Sequence, residues 1–238
     1  MKQLITILLT LSIGFAQSLS KEEKQIGSYI DNHTNEAIDL VEKVVNINSG
    51  TLNMEGNKKV GKIFQAELDK LGFKTYWVTY PDDVKRSGHL FAEMRGGKGQ
   101  NILLIGHLDT VFEPDHPFQK YTRKGDTAYG PGVSDMKAGD VSMIYIMKAL
   151  NHVGVLKELS LTLVFIGDEE KMGAPPAIVR KELIDAGKWA NIGLGFEGAG
   201  GMNTGTIARR SSSSWLLTTT GIQGHSSQIF KDHLGYGA

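Results

Sequence analysis

Apolar residues along this chain fall into two periodicities, helical and strand-like, and the order in which they alternate predicts the fold. Over residues 21–48, Ile26, Ile30, Ile38, Val41, Val44 and Val45 recur at helical spacing. The polar stretch Asp31-Asn32-His33 interrupts them, which predicts two helices or one broken helix. Val60, Ile63, Phe64 and Leu68 share one face of a second helix over 56–71, with Gly72 as its stop signal. Strands follow over 73–80, 89–94 and 101–105, the last an apolar run suited to the middle of a sheet. A helix over 137–150, a strand over 159–166, a helix over 177–186 and a short strand over 192–196 continue the alternation. The pattern predicts an α/β fold, a three-layer sandwich with a mixed β-sheet covered by helices. Ligands of such sheets collect at strand ends.

The two ends depart from this pattern. Lys2 precedes a mostly apolar stretch from Leu4 to Ala16, with small residues at Gly14 and Ala16, the three-part layout of a secretory signal. A membrane anchor would need about 20 apolar residues, and this run gives way to Lys21-Glu22-Glu23-Lys24. Residues 1–18 are therefore expected to be a cleaved signal peptide, with export to the periplasm or the extracellular space and no stable membrane anchor. At the other end, Ser211-Ser212-Ser213-Ser214 leads into a β-branched strand over 215–220 and then Gly221-Ile222-Gln223-Gly224-His225. About 30 residues are too few for a domain, which usually needs about 50 or more. Residues 19–207 are read as the N-terminal part of one large domain and 208–238 as the incomplete beginning of another.

Composition narrows the chemistry. The absence of cysteine removes disulfides, thiolate ligands and cysteine nucleophiles together. Any metal must use nitrogen and oxygen donors. With 26 Lys and Arg against 26 Asp and Glu, no basic face for nucleic acid is indicated. The 29 glycines fit many tight turns between short strands.

Metal-binding residue types stand where strands or tight loops end. His107 follows Ile102-Leu103-Leu104-Ile105, and Asp135 sits within Gly130-Pro131-Gly132-Val133-Ser134-Asp135-Met136-Lys137-Ala138-Gly139. Glu169 and Glu170 follow the strand over 161–166, and Glu197 follows Leu194-Gly195-Phe196. One histidine with several carboxylates suits zinc or a similar divalent ion, and carboxylates can bridge two ions about 3.5–4 Å apart. Asp109 falls on the same side of an extended backbone as His107, placed to accept a hydrogen bond from the other imidazole nitrogen. Neighbouring side chains of extended backbone point opposite ways. One of Glu169 and Glu170 can therefore hold metal while the other addresses a bound water.

Gly106-His107-Leu108-Asp109-Thr110-Val111, the glycine loop around Asp135, Asp168-Glu169-Glu170 and Phe196-Glu197 together resemble the glutamate carboxypeptidase and aminoacylase family of two-zinc metallopeptidases. The resemblance implies that His107, Asp135 and Glu197 hold one zinc, and that Asp135, as bridge, and Glu170 hold the other. It implies that Asp109 orients His107 and that Glu169 is the general base. Gly224-His225-Ser226 looks like the lid motif whose histidine reaches the partner subunit's site in dimeric relatives. His225 is then a catalytic residue, residues 208–238 begin an α+β lid or dimerisation domain, and the complete protein is a homodimer. The implied substrate is a small peptide losing a C-terminal amino acid, with deacylation of an N-acyl amino acid open to the same machinery. Relatives place a last metal-binding histidine far downstream. Residues 1–238 by themselves are therefore expected to lack normal activity, and a truncated, non-catalytic relative is the alternative.

Two other classes fail on particular residues. A serine-hydrolase elbow needs a closing glycine that Gly132-Val133-Ser134-Asp135-Met136 lacks. A dinucleotide loop needs open backbone and no negative charge where Pro131 and Asp135 stand.

Overall fold

In a computed structural model, the described residues are 18–201, 204–208, 210, 213, 215–218 and 220. The signal-peptide expectation for 1–18, save its last residue, the catalytic assignment of His225 and much of the second-domain reading for 208–238 lie outside them. The chain divides after Gly198 into two units, and every helix and strand named below belongs to the first.

The first unit opens with helices α1 (Lys21–Val45) and α2 (Met54–Lys70), followed by strands β1 (Lys74–Val78), β2 (His89–Arg95) and β3 (Lys98–His107). A small hairpin of β4 (Thr122–Lys124) and β5 (Thr127–Tyr129) precedes helix α3 (Ala138–His152) and strand β6 (Leu159–Ile166). Helices α4 (Pro176–Val179) and α5 (Lys181–Trp189) lead to strand β7 (Ile192–Gly195). Five strands form one sheet in the order β1-β2-β6-β3-β7. β1, β2 and β6 pair antiparallel, whereas β6, β3 and β7 run parallel. The sheet is mixed and the fold is α/β.

Alternation of side chains along the strands splits the core in two. Leu90, Leu104, Leu163 and Phe165 pack with Phe64 of α2 and Ile144 of α3 on one face. Phe91, Leu103, Val164 and Ile166 face the other way, against Leu183 and Ala186 of α5. Helices thus cover both faces, giving three layers. Among the described residues, no helix is long and apolar enough to cross a membrane.

Local chemistry explains where the elements differ from the pattern-based reading. Helix α1 is continuous through Asp31-Asn32-His33 because polar side chains bond back to the preceding turn. His33 Nδ1 donates to the Tyr29 carbonyl at 2.7 Å and Thr34 Oγ1 to that of Ile30 at 2.9 Å. Ser20 and Glu23 form a reciprocal capping box at its start. Helix α2 begins at Met54 because the Asn53 side chain accepts from Gly56 N at 3.0 Å. The helix expected over 177–186 is two, α4 and α5, divided at Arg180, whose φ of −118° and ψ of 2° leave helical geometry.

Candidate metal centre

β6, β3 and β7 are neighbours and parallel, so their C-terminal ends lie side by side. His107 ends β3 opposite Ile166 of β6, and the pairing of Ile105 with Gly195 brings Glu197 to the same edge. Beyond β6 the chain continues as Gly167-Asp168-Glu169-Glu170. The glycine loop delivers Asp135 just before α3. Close packing makes this possible at two glycines. A Cβ on Gly106 would stand 2.1 Å from the Asp140 carboxylate, and one on Gly139 would stand 2.2 Å from the Phe196 carbonyl. The first turn of α3 therefore presses on the ends of β3 and β7, with Asp135 beside His107.

His107 is buried, with Nε2 2.9 Å from Asp135 Oδ1 and 3.2 Å from Glu197 Oε1. Asp135 and Glu197 are more open, with 63% and 40% of their side chains exposed, so the cluster faces outward. Donor atoms of His107, Asp135 and Glu197 lie within 4.8 Å of one another, as do those of His107, Glu169 and Glu170. Burial opposes a charge on His107, but Asp109, Asp140 and Glu197 outweigh it and push its pKa up to about 10. Burial and the neighbouring Asp135 carboxylate raise Glu170 to about 7. Both shifts record a field that favours positive charge at this point. One imidazole with carboxylate oxygens and no thiolate fits zinc or another divalent ion.

Asp109 does more than orient one ring. His107 Nδ1 is 3.0 Å from the Asp109 main-chain carbonyl and 3.5 Å from its carboxylate Oδ1. The fully buried carboxylate accepts from Glu169 N at 3.0 Å, Glu170 N at 3.1 Å and the Thr51 hydroxyl at 2.7 Å. Burial favours its neutral form, yet His107 and Thr51 hold its pKa below the usual carboxylate range. Asp109 thus ties the end of β3 to the Glu169-Glu170 turn.

Four supporting residues escaped the sequence reading. Thr51 follows α1 in a segment bridged to Thr110 by main-chain hydrogen bonds, Thr51 N to the Thr110 carbonyl at 3.1 Å and Thr110 N to that of Ser49 at 2.9 Å. Its partner is 58 positions away, and no local pattern marks it. Lys137 is buried and donates Nζ to the carbonyls of Val44 and Ile47, both at 3.0 Å, so the Asp135 loop is fastened to the end of α1. Burial pushes its pKa down to about 8. Asp168 accepts from Arg180 Nη1 at 2.6 Å and Gly173 N at 2.8 Å, while Arg180 Nη2 donates to the Asp168 carbonyl at 3.0 Å. The adjacency of a lysine to the metal-binding loop and of Asp168 to two glutamates were the available signals.

An imidazole and carboxylate cluster beyond neighbouring parallel strands makes this an α/β core with a candidate metal site. Residues 103–211 match the model of Peptidase family M20/M25/M40. Carboxypeptidase G2 from Pseudomonas sp. (strain RS-16) is 36% identical over 138 residues, covering 56% of this chain and 32% of that protein. A succinyl-diaminopimelate desuccinylase from Gluconobacter oxydans is 31% identical over 170 residues, covering 66% of this chain and 43% of its own. Human carnosine dipeptidase 1 shares the fold with a TM-score of 0.61 at 17% identity, over 72% of this chain and 40% of that one. The M20 family metallo-carboxypeptidase Sso-CP2 from Sulfolobus solfataricus gives 0.56 at 21%, over 69% and 38%. The chain spans less than half the length of each of these relatives.

Proposed function

We propose that this chain carries the N-terminal part of the catalytic domain of a metal-dependent hydrolase that cleaves an amide bond at the end of a small peptide. The observation that supports it most is the convergence of Asp135 and Glu197 on His107 Nε2, with Glu169 and Glu170 within reach of the same histidine. In this reading His107, Asp135 and Glu197 hold one zinc ion, and Asp135 and Glu170 a second, which when bound supply an acidified water and a polarised carbonyl. Glu169 takes the proton from the attacking water and returns it to the leaving nitrogen. Asp109 fixes the main chain of both glutamates, so base and ligand keep their distance from His107.

Removal of a C-terminal amino acid is favoured by the likeness to carboxypeptidase G2. Deacylation of an N-acyl amino acid is the second reading, favoured by the desuccinylase match over a larger share of the chain. Export through residues 1–18 and a homodimer in which His225 serves the partner's site belong to the same proposal. Calorimetric zinc titration tests the site together with turnover. His107→Ala loses zinc, whereas Glu169→Gln keeps zinc and lowers kcat by about 10²–10⁴-fold. Zinc lost on Glu169→Gln would make Glu169 a ligand, and zinc retained by His107→Ala would sink the site.

A further inference from the structure

A cavity of about 410 Å³ is lined by Asp135 and Glu170 together with several large apolar side chains. Val111, Phe112, Phe118 and Tyr129 are the large apolar ones, joined by small residues of the glycine loop including Ser134. Val111 is 61% exposed, Phe118 39% and Tyr129 51%. Three large apolar side chains left open to solvent around one cavity are a different matter from scattered surface residues, because their burial awaits a ligand.

The wall is preformed. Phe112 packs edge-on against Phe118 and His116, with ring centroids 5.2 Å and 4.9 Å apart. Gln119 Nε2 donates to the carbonyls of Glu113 at 2.8 Å and His116 at 2.7 Å. Asn48 Nδ2 donates to the Phe112 carbonyl at 2.9 Å and to Gln119 Oε1 at 2.7 Å. Tyr129 is carried on the β4–β5 hairpin, which leads directly into the loop of Asp135. Two segments on either side of the cavity are therefore fixed relative to the carboxylates.

We infer that this cavity is a subsite for an aromatic or large aliphatic group attached next to the scissile amide. The inference deepens the hydrolase reading and rests on it. An amide placed at the His107 cluster leaves its adjoining side chain beside Val111, Phe118 and Tyr129. No basic side chain lines the cavity among the described residues, which suits an uncharged group there.

Calorimetric titration of the full chain with N-acetyl-L-phenylalanine amide and N-acetylglycine amide, with zinc and with chelator, tests it. The phenylalanine probe is expected to bind at least about tenfold more tightly, the scale of an apolar group filling a matching pocket. Phe118→Ala and Tyr129→Ala, both at exposed positions, are expected to abolish that preference and leave the thermal transition unchanged. Equal binding of the two probes, or a preference that survives both substitutions, would overturn the subsite. Absence of zinc binding with the preference intact would instead strike the hydrolase reading and leave the pocket standing.

Discussion

At the scale of single residues, the site is a balance of charges held at short range, and pH is the lever that reads it. In the proposed site, zinc would displace a proton from His107, raised to about 10, and at neutral pH part of one from Glu170, raised to about 7. Affinity for zinc is therefore expected to rise steeply between pH 6 and pH 8, with protons released on binding. Calorimetry in buffers of different ionisation enthalpy counts them, and a pH-independent affinity would contradict the charge assignment. Asp140 presents the opposite case. It is fully buried, neither carboxylate oxygen has a hydrogen-bond partner among the described residues, and burial raises its pKa well above the ordinary value. A folded-state pKa raised above the unfolded one gives stability that is complete below the ordinary carboxylate pKa and declines as pH rises. Asp140→Asn should thus stabilise the zinc-free chain by about 1–3 kcal/mol at pH 8, with the gain closing near pH 4. Urea denaturation at the two pH values decides it, and an equal gain at both would refute the argument. His107 was legible in the sequence because an apolar strand ended on it. Asp140 was not, since its isolation comes from the close approach of Gly106.

Elements explain why residues so far apart in sequence hold one geometry. The three apolar runs made β3, β6 and β7 legible as strands with candidate ligands at their ends, but their order in the sheet is set by tertiary pairing that no local pattern marks. The short β4–β5 hairpin was not legible, because three-residue strands offer too few positions for a period. The division between α4 and α5 was hidden for another reason: Arg180 reads as a helix former, and its tertiary partner Asp168 decides otherwise. That pair also supports the Glu169-Glu170 turn from behind, opposite the hold of Asp109. Arg180→Met leaves the fully buried Asp168 carboxylate without its cation, at a cost of about 3–5 kcal/mol. Zinc affinity is expected to fall with it as Glu170 shifts. Arg180→Lys should recover part of the stability, since a lysine supplies the charge without the paired donors. Denaturant midpoints and zinc titrations of the two variants check this, and a midpoint unmoved by Arg180→Met would remove Arg180 from the support.

For the first unit as a whole, β1 and β7 are the two edges of the sheet among the described residues, and β7 carries the exposed aliphatic side chains. Among the described residues β7 pairs only with β3, and Ile192 and Leu194 remain 42% and 44% exposed. Those two side chains stand in register with Ile102 and Leu104, on the face that α3 covers farther along the sheet. An edge strand with free main-chain groups and exposed aliphatic side chains is a template for pairing with another chain. The 238-residue chain is therefore expected to self-associate as its concentration rises. Leu194→Lys sets a charge on that edge, beyond the reach of the His107 cluster's hydrogen bonds, and should shift the weight-average mass toward the monomer. Sedimentation equilibrium measures the mass, and zinc titration of the same variant separates the edge from the site. Unchanged association with zinc binding intact would show that β7 is not the contact. Loss of zinc would show instead that the β7 edge and Glu197 cannot be perturbed independently, because the strand that exposes Leu194 also delivers Glu197 to His107.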